Sequence, residues 1–399
     1  MHFFIKGWLI LTLFLAGCLA HEPELTEPWR TEEAPTEPSE EVVDSTVWIP
    51  EDFPFVLYRQ IVSSRESTEN IVISPVTALI ELDAVARESE PDLARGIAER
   101  LGFSGDVAAM NAHVDGLVAE LEARKPGEGR IYQRRGGYYE VLEEDEERVR
   151  RALGIQWVSV QGRLGSENDE FEDRLSEESD GFFSGNDFTI EGLAEGSFDL
   201  RALLLVGEWE GHLSPRSIIS GEFRRHDGEV VIVDTSRRSF APALTVRDDA
   251  VFMEWALLGQ EVSVFLLLPA EGGDLSELED GLTTALMEEW IESLTLRREH
   301  IGNLPLLDLN DFVDLSPHFA NMGFEEVTAL NRRLLQPSRF VLGLEGVNHP
   351  EPVRRQGHSG SMGLRRTEPS WSSFDRPFLF FIYDRPSSTV LLMGRVASP

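Results

Sequence analysis

The alternation of apolar and polar positions divides the chain into an early helical part and a later part rich in strands. FPFVLYRQIVS (Phe53 to Ser63) carries apolar residues at helical spacing, and ENIVISP (Glu69 to Pro75) is a short β-branched run closed by proline, so a helix followed by a strand is predicted. A second helix is expected from Val76 to about Arg87. PDLARGIAERLGF opens on Pro91 and stops at Gly102, the asymmetry of a helix that begins with proline and ends with glycine. DLRALLLVGEWEG (Asp199 to Gly211) and QEVSVFLLLP (Gln260 to Pro269) have the length and flanks of buried strands. Near the end, RPFLFFIYD and TVLLMGRV flank the turn Arg385-Pro386-Ser387-Ser388, which predicts a hairpin. Helices first and strands later give an α+β fold with large mixed or antiparallel sheets.

The N-terminus follows a different pattern. Lys6 precedes an apolar run from Gly7 to Leu15, and small residues then lead to Cys18, as in a secretion signal over residues 1–18 that is too short to span a bilayer comfortably. Leu15-Ala16-Gly17-Cys18 resembles the lipobox of bacterial lipoproteins. That resemblance implies lipidation of Cys18 and anchoring at a bacterial cell envelope, with Leu19 matching outer-membrane or surface sorting; if the cysteine is incidental, the protein is secreted. Cys18 is the single cysteine, so no internal disulfide forms. Residues 19–50 are acidic, rich in proline and threonine and without apolar periodicity, and read as a disordered, self-repelling tether. The folded domain is expected over residues 51–399.

Charge and motifs then narrow the chemistry. The 399 residues are 41% hydrophobic, enough for a substantial core, and carry a formal charge of -35. Such a surface repels phosphates and anionic headgroups, which excludes nucleic acid as a partner. Lys6 and Lys125 are the only lysines, so nearly all positive charge is arginine. The run Glu143 to Glu147 reads as a solvated helix face rather than a cation site. No Cys-x-x-Cys, His-Glu-x-x-His or phosphate-loop pattern is present, so neither a metal nor a cofactor is expected. Gly357-His358-Ser359-Gly360-Ser361 lacks the last glycine of a hydrolase elbow and follows no buried strand, so the chain is not expected to be an enzyme and no catalytic residue is assigned.

One segment joins two unlike patterns. From His358 to Phe381 a small, polar stretch leads to the pair Arg365 and Arg366 and then turns abruptly into an apolar strand. A protease-sensitive loop directly before a core strand is the physical reading.

These residues resemble the serpin family. Phe53-x-Phe55, Asn70 to Pro75, Ile97 to Phe103, Gly207-x-Trp209, Val262 to Pro269, Leu304-Pro305 and Met322-Gly323-Phe324 match its landmarks in order. The most specific matches are Phe374 to Phe380 and Met393-Gly394-Arg395-Val396 with the final Pro399. The resemblance implies the serpin fold, a monomer, and a reactive loop at about residues 346–373 that offers a scissile bond to a serine protease. On cleavage such a loop inserts into the main sheet as a new strand and displaces the acylated protease. Counting back from Phe374 places the bond at Arg366-Thr367, with Arg365 an alternative; counting forward from the hinge gives Met362 instead. An arginine there suits a trypsin-like protease whose pocket carries a carboxylate.

The hinge departs from the inhibitory pattern. In EGVNHPEPVRRQG, Gly346 is followed by Pro350, Pro352, Val353, Arg354 and Arg355 where small residues are usual. Each proline lacks the N–H a central strand needs, and adjacent arginines would point to opposite faces of the sheet. A noninhibitory serpin-fold binding protein is therefore the alternative expectation. In the sheet-opening region, Ser74, Thr77 and Trp209 match the family, whereas Arg201 and Ser338 replace its asparagine and histidine. Glu88-Ser89-Glu90-Pro91 stands where a glycine-rich turn is usual.

Overall fold

The computed structural model describes residues 52–124, 132–134, 137–139, 153–164, 169–179, 181–183, 196–209, 218–240, 243–259, 261–296, 300–324, 327, 332–348 and 371–399. The chain opens with helix α1 (Phe53–Val62), strand β1 (Ile71–Ile73) and helices α2 (Pro75–Glu88), α3 (Pro91–Arg100) and α4 (Val107–Glu122). A small antiparallel pair, β2 (Tyr132–Arg134) and β3 (Gly137–Tyr139), precedes β4 (Leu153–Leu164), α5 (Asp169–Glu178) and β5 (Gly196–Glu208). Strands then follow one another: β6 (Ile218–Arg224), β7 (Val230–Phe240), β8 (Ala243–Val246), β9 (Ala250–Ala256) and β10 (Val262–Pro269). After α6 (Leu275–Gly281) and α7 (Thr284–Glu292) come β11 (Thr295–Leu296), β12 (His300–Pro305), β13 (Leu307–Asp314) and α8 (Leu315–Asn321). The last elements are β14 (Arg332–Leu342), β15 (Gly346–Val347), β16 (Trp371–Ser373), β17 (Phe378–Asp384) and β18 (Thr389–Val396).

Among the described residues the larger strands form three sheets. One has the order β1-β18-β17-β10-β9-β8-β11, a second β13-β14-β15-β5-β4, and a third β16-β12-β7-β6. β10, β17 and β1 are buried along their whole length, which is why they read as continuous apolar runs rather than alternating ones. The turn between β17 and β18 places Ser388 in the left-handed region at φ 53. The first two sheets face each other across the core: Phe340 of β14 stacks on Phe380 of β17 with ring centroids 3.8 Å apart, and Phe55 of α1 meets Phe381 edge-on.

Helix α2 touches β5, β14 and β18 and is buried over nearly all its positions. Its start is fixed by Ser74, whose side chain accepts from the Thr77 N–H, and by Pro75 in the first turn. Beyond its last residue Ser89 has φ -84 and Glu90 has φ -57, so the turn into α3 uses ordinary backbone and needs no glycine. Gly102, at φ 82, does supply a left-handed residue just beyond α3.

The observed strands shift some expected boundaries. β5 begins at Gly196 and ends at Glu208 rather than running from Asp199 to Gly211. β14 stops at Leu342, because Gly343 begins a turn. The run Glu143 to Glu147 lies outside the described residues. No helix among the described residues is long and apolar enough to cross a membrane.

The C-terminal landmark has a mechanical reason. A Cβ on Gly394 would lie 1.8 Å from the carbonyl oxygen of Ile71, so only glycine lets β18 approach β1. Next to it Arg395 is buried, donates to the carbonyls of Glu66 and Glu69, and pairs with the buried Glu279, which also accepts from the Tyr58 hydroxyl at 2.6 Å. Removing one partner of such a pair leaves an uncompensated charge. Arg395→Met is therefore expected to destabilise the domain by about 3 kcal/mol in urea unfolding. Adding Glu279→Leu should recover part of that loss; a double variant weaker than the single one would contradict the pairing.

Candidate functional site

The two central strands of the five-stranded sheet, β5 and β14, run parallel and pair directly over Arg332–Leu335 and Ser197–Leu200. At the head of the sheet β15 lies between them: Gly346 pairs with Glu208, and Val347 pairs with both Gly207 and Leu342. The register is continuous, since Leu342 and Gly207 flank Val347 just where the direct ladder, prolonged, would bring them opposite each other. The start of the loop is thus already seated as a two-residue strand in a parted seam.

Trp209 holds this seat. Its backbone N–H donates to the Glu345 carbonyl at 3.0 Å and its indole Nε1 donates to the Gly343 carbonyl at 2.9 Å. The ring is buried against Trp255, edge-on with centroids 5.2 Å apart. Within the turn, the Gly343 N–H donates to the Gly346 carbonyl at 2.9 Å. Gly346 has no alternative residue: a Cβ there would lie 1.8 Å from the Gly207 carbonyl oxygen.

Asn348 ends the seated strand. It is buried and has φ 54, a left-handed backbone that asparagine tolerates better than other residues with a Cβ. Its N–H donates to the Val341 carbonyl at 2.8 Å, and its side-chain Oδ1 accepts from the Val341 N–H at 2.6 Å. Val341 therefore turns its backbone groups toward the seam, and by the alternation of a strand so does Pro337, which has no N–H to offer.

Beyond this point Pro350, Pro352, Val353, Arg354, Arg355, Met362, Arg365, Arg366 and Thr367 lie outside the described residues, as does Cys18. The chain returns as β16, parallel to β12 in the four-stranded sheet, and the Phe374 N–H donates to the Asn303 carbonyl at 2.9 Å. Phe374 is buried against Phe378 with centroids 5.1 Å apart. Both ends of the loop are consequently fixed to the body, one in each sheet.

The sheet-opening residues separate into two groups. Ser74 Oγ lies 2.7 Å from Thr77 Oγ1 and donates to the Leu391 carbonyl at 2.7 Å. Its backbone is gripped by Gln336: the Ser74 N–H donates to Oε1 and the amide Nε2 donates to the Ser74 carbonyl, both at 2.9 Å. Ser338 and Arg201, which stand where the family has a histidine and an asparagine, make no hydrogen bond to Ser74 or Thr77 among the described residues. The long amide of Gln336 reaches Ser74, whereas the short hydroxyl of Ser338 is buried with no hydrogen-bond partner among the described residues. Arg201 Nε instead donates to Glu81 Oε2 on α2 at 2.6 Å.

Charges also cross the seam. Arg332 of β14 lies 2.8 Å from Asp199 of β5 and 2.7 Å from Glu88 at the end of α2. Burial pushes the Glu81 and Asp199 carboxyls above the ordinary carboxylate range, opposed by Arg201 and Arg332 respectively. No group of three metal-ligating side chains occurs among the described residues. The sequence reading missed Gln336, Glu81, Pro337 and Asn348. A proline inside the strand-like run LLQPSRFVL is the one signal that was visible.

A family model described as Serpin (serine protease inhibitor) matches residues 200–399. Leukocyte elastase inhibitor from Equus caballus is 23% identical over 383 residues, covering 87% of this chain and 97% of that protein. Among solved structures, the thermophilic serpin tengpin in its native state aligns with a TM-score of 0.66 at 13% identity, covering 90% of this chain and 96% of tengpin. Thyroxine-binding globulin in complex with thyroxine aligns with a TM-score of 0.67 at 15% identity, covering 88% and 98%. At these identities the structural likeness speaks for the fold, and the family model for the lineage. Half the chain matched by that model, on a body whose described residues form helices and three larger sheets, makes this protein a member of the serpin (serine protease inhibitor) family.

Proposed function

We propose that this serpin is directed at a trypsin-like serine protease and offers Arg366-Thr367 as its reactive bond, with Arg365 as the neighbouring alternative. The observation that supports it is the seated hinge. Gly346 and Val347 lie between parted central strands while Phe374 is fixed in another sheet, which keeps the segment carrying both arginines strung between two anchors. A guanidinium presented there meets a carboxylate at the bottom of a trypsin-like pocket.

The same register limits how firmly a protease would be held. Prolonged downward, it sets Pro350 opposite Arg339 and Pro352 opposite Pro337, with both prolines turned toward β14. Each position forfeits a donor, and the proline pair has none at all. Insertion past the hinge therefore releases less free energy than an alanine-rich loop would, and the inhibitor is expected to be consumed largely as a substrate. This also favours a second reading, a noninhibitory surface protein whose loop recognises a partner without insertion. At the other end, lipidation of Cys18 at a bacterial cell envelope is supported by the Leu15-Ala16-Gly17-Cys18 pattern, and residues 19–50 would hold the domain off the membrane.

Near-equimolar trypsin and intact-mass measurement test the main reading. Cleavage at Arg366-Thr367 with a minor denaturation-resistant complex is expected; cleavage without any complex would favour the second reading, and an uncut loop would overturn the arginine bond. For the anchor, Cys18→Ala should move the protein from the membrane fraction to the soluble one. Retention in the membranes would contradict lipidation.

A further inference from the structure

We propose that Asn348 is the stop that holds the hinge two residues deep in the central sheet, by lending its side chain to β14 in place of its own backbone carbonyl. The geometry of the ladder leads there. Leu342 and Val347 are opposite one another, so the next opposed pair is Val341 with Asn348. In a continuing antiparallel ladder that pair exchanges two backbone bonds, N–H to carbonyl in each direction. One is present, from the Asn348 N–H to the Val341 carbonyl at 2.8 Å. The other is replaced: the Val341 N–H finds Asn348 Oδ1 at 2.6 Å rather than a backbone oxygen.

The replacement follows from the backbone. At φ 54 the chain leaves the extended region, its carbonyl turns away, and the strand ends. A buried N–H at Val341 would then lack a partner, and its desolvation would go uncompensated. Asparagine is suited to both tasks, since it tolerates the left-handed backbone and carries an acceptor one bond further out. Aspartate would serve in the same way. Glycine would keep the turn and lose the acceptor, and threonine would keep an oxygen but favour the extended backbone that lets the strand continue.

What lies below the stop explains its position. Pro337 leaves the seam-facing edge of β14 one donor short, so a longer strand would rest mainly on β5. The seated turn above is closed by Trp209 and admits only glycine at position 346. Between these limits the hinge has one well-satisfied depth, and Asn348 sets it. The inference concerns the intact chain and holds whichever partner the loop meets.

Amide hydrogen exchange on the intact, protease-free full chain tests it. In Asn348→Gly the Val341 amide is expected to exchange at least tenfold faster than in the wild type, while Asn348→Asp should keep the wild-type rate. In Asn348→Thr the released strand is expected to lengthen by one residue, which brings position 349 opposite Leu205 and slows the Leu205 amide at least tenfold. An Asn348→Gly variant that exchanges Val341 at the wild-type rate would overturn the role of the side chain. So would loss of Val341 protection in a folded Asn348→Asp variant, and an unchanged Leu205 rate in folded Asn348→Thr would overturn the stop. Because no protease enters the experiment, its failure is separable from failure of the arginine bond.

Discussion

A parted sheet exposes two rows of backbone donors and acceptors to a dry interior, and each needs a partner. That constraint organises the head of this molecule. β5 and β14 pair directly only over their first residues, and above them the seam is filled by Gly346 and Val347. Every feature around the seat answers the same demand. Trp209 takes the carbonyls of the turn, Gly346 allows backbone to touch backbone, and Asn348 supplies an oxygen where the strand runs out. The hinge is therefore a structural part of the central sheet in the intact chain and also the beginning of the loop.

Beneath the seam the sheet is tied to α2 by polar contacts rather than by apolar packing alone. Gln336 grips the start of the helix through Ser74, and Arg201 reaches Glu81 further along it. Arg332 draws β14 toward β5 and toward the end of the helix. Glu81 is buried enough that its charge is disfavoured except beside Arg201, so the ion pair fixes strand and helix relative to one another. Parting the seam further would have to move these contacts, and this resistance adds to the shortage of donors on β14.

Much of this was legible in the sequence where function depends on residue type, and little where it depends on register. Continuous apolar runs marked β1, β10, β17 and β18 because both faces of those strands are buried. Trp209 and Gly346 stood out through the family resemblance, and the structure shows why their types matter: few residues can do what an indole donor or a missing Cβ does. β13 alternates buried and partly exposed positions and was passed over, since its pattern is interrupted by Asp and Asn. Asn348 and the seam-facing role of Pro337 were not legible for a different reason. Whether a residue faces the seam or the neighbouring strand is decided by parity, and parity is fixed only once the pairing is known.

The central claim is that the seam accepts a short strand well and a long one poorly. The most direct measurement is the thermal unfolding midpoint of the intact protein compared with that of the protein cut within residues 360–370. Only about 1–2 kcal/mol is gained in this account, so the midpoint is predicted to rise by no more than about 8 °C, given roughly 2–4 °C per kcal/mol for domains of some two hundred residues. A rise of about 20 °C or more, on the same scale, would mean that a full strand enters the sheet despite Asn348 and the prolines, and would contradict the account.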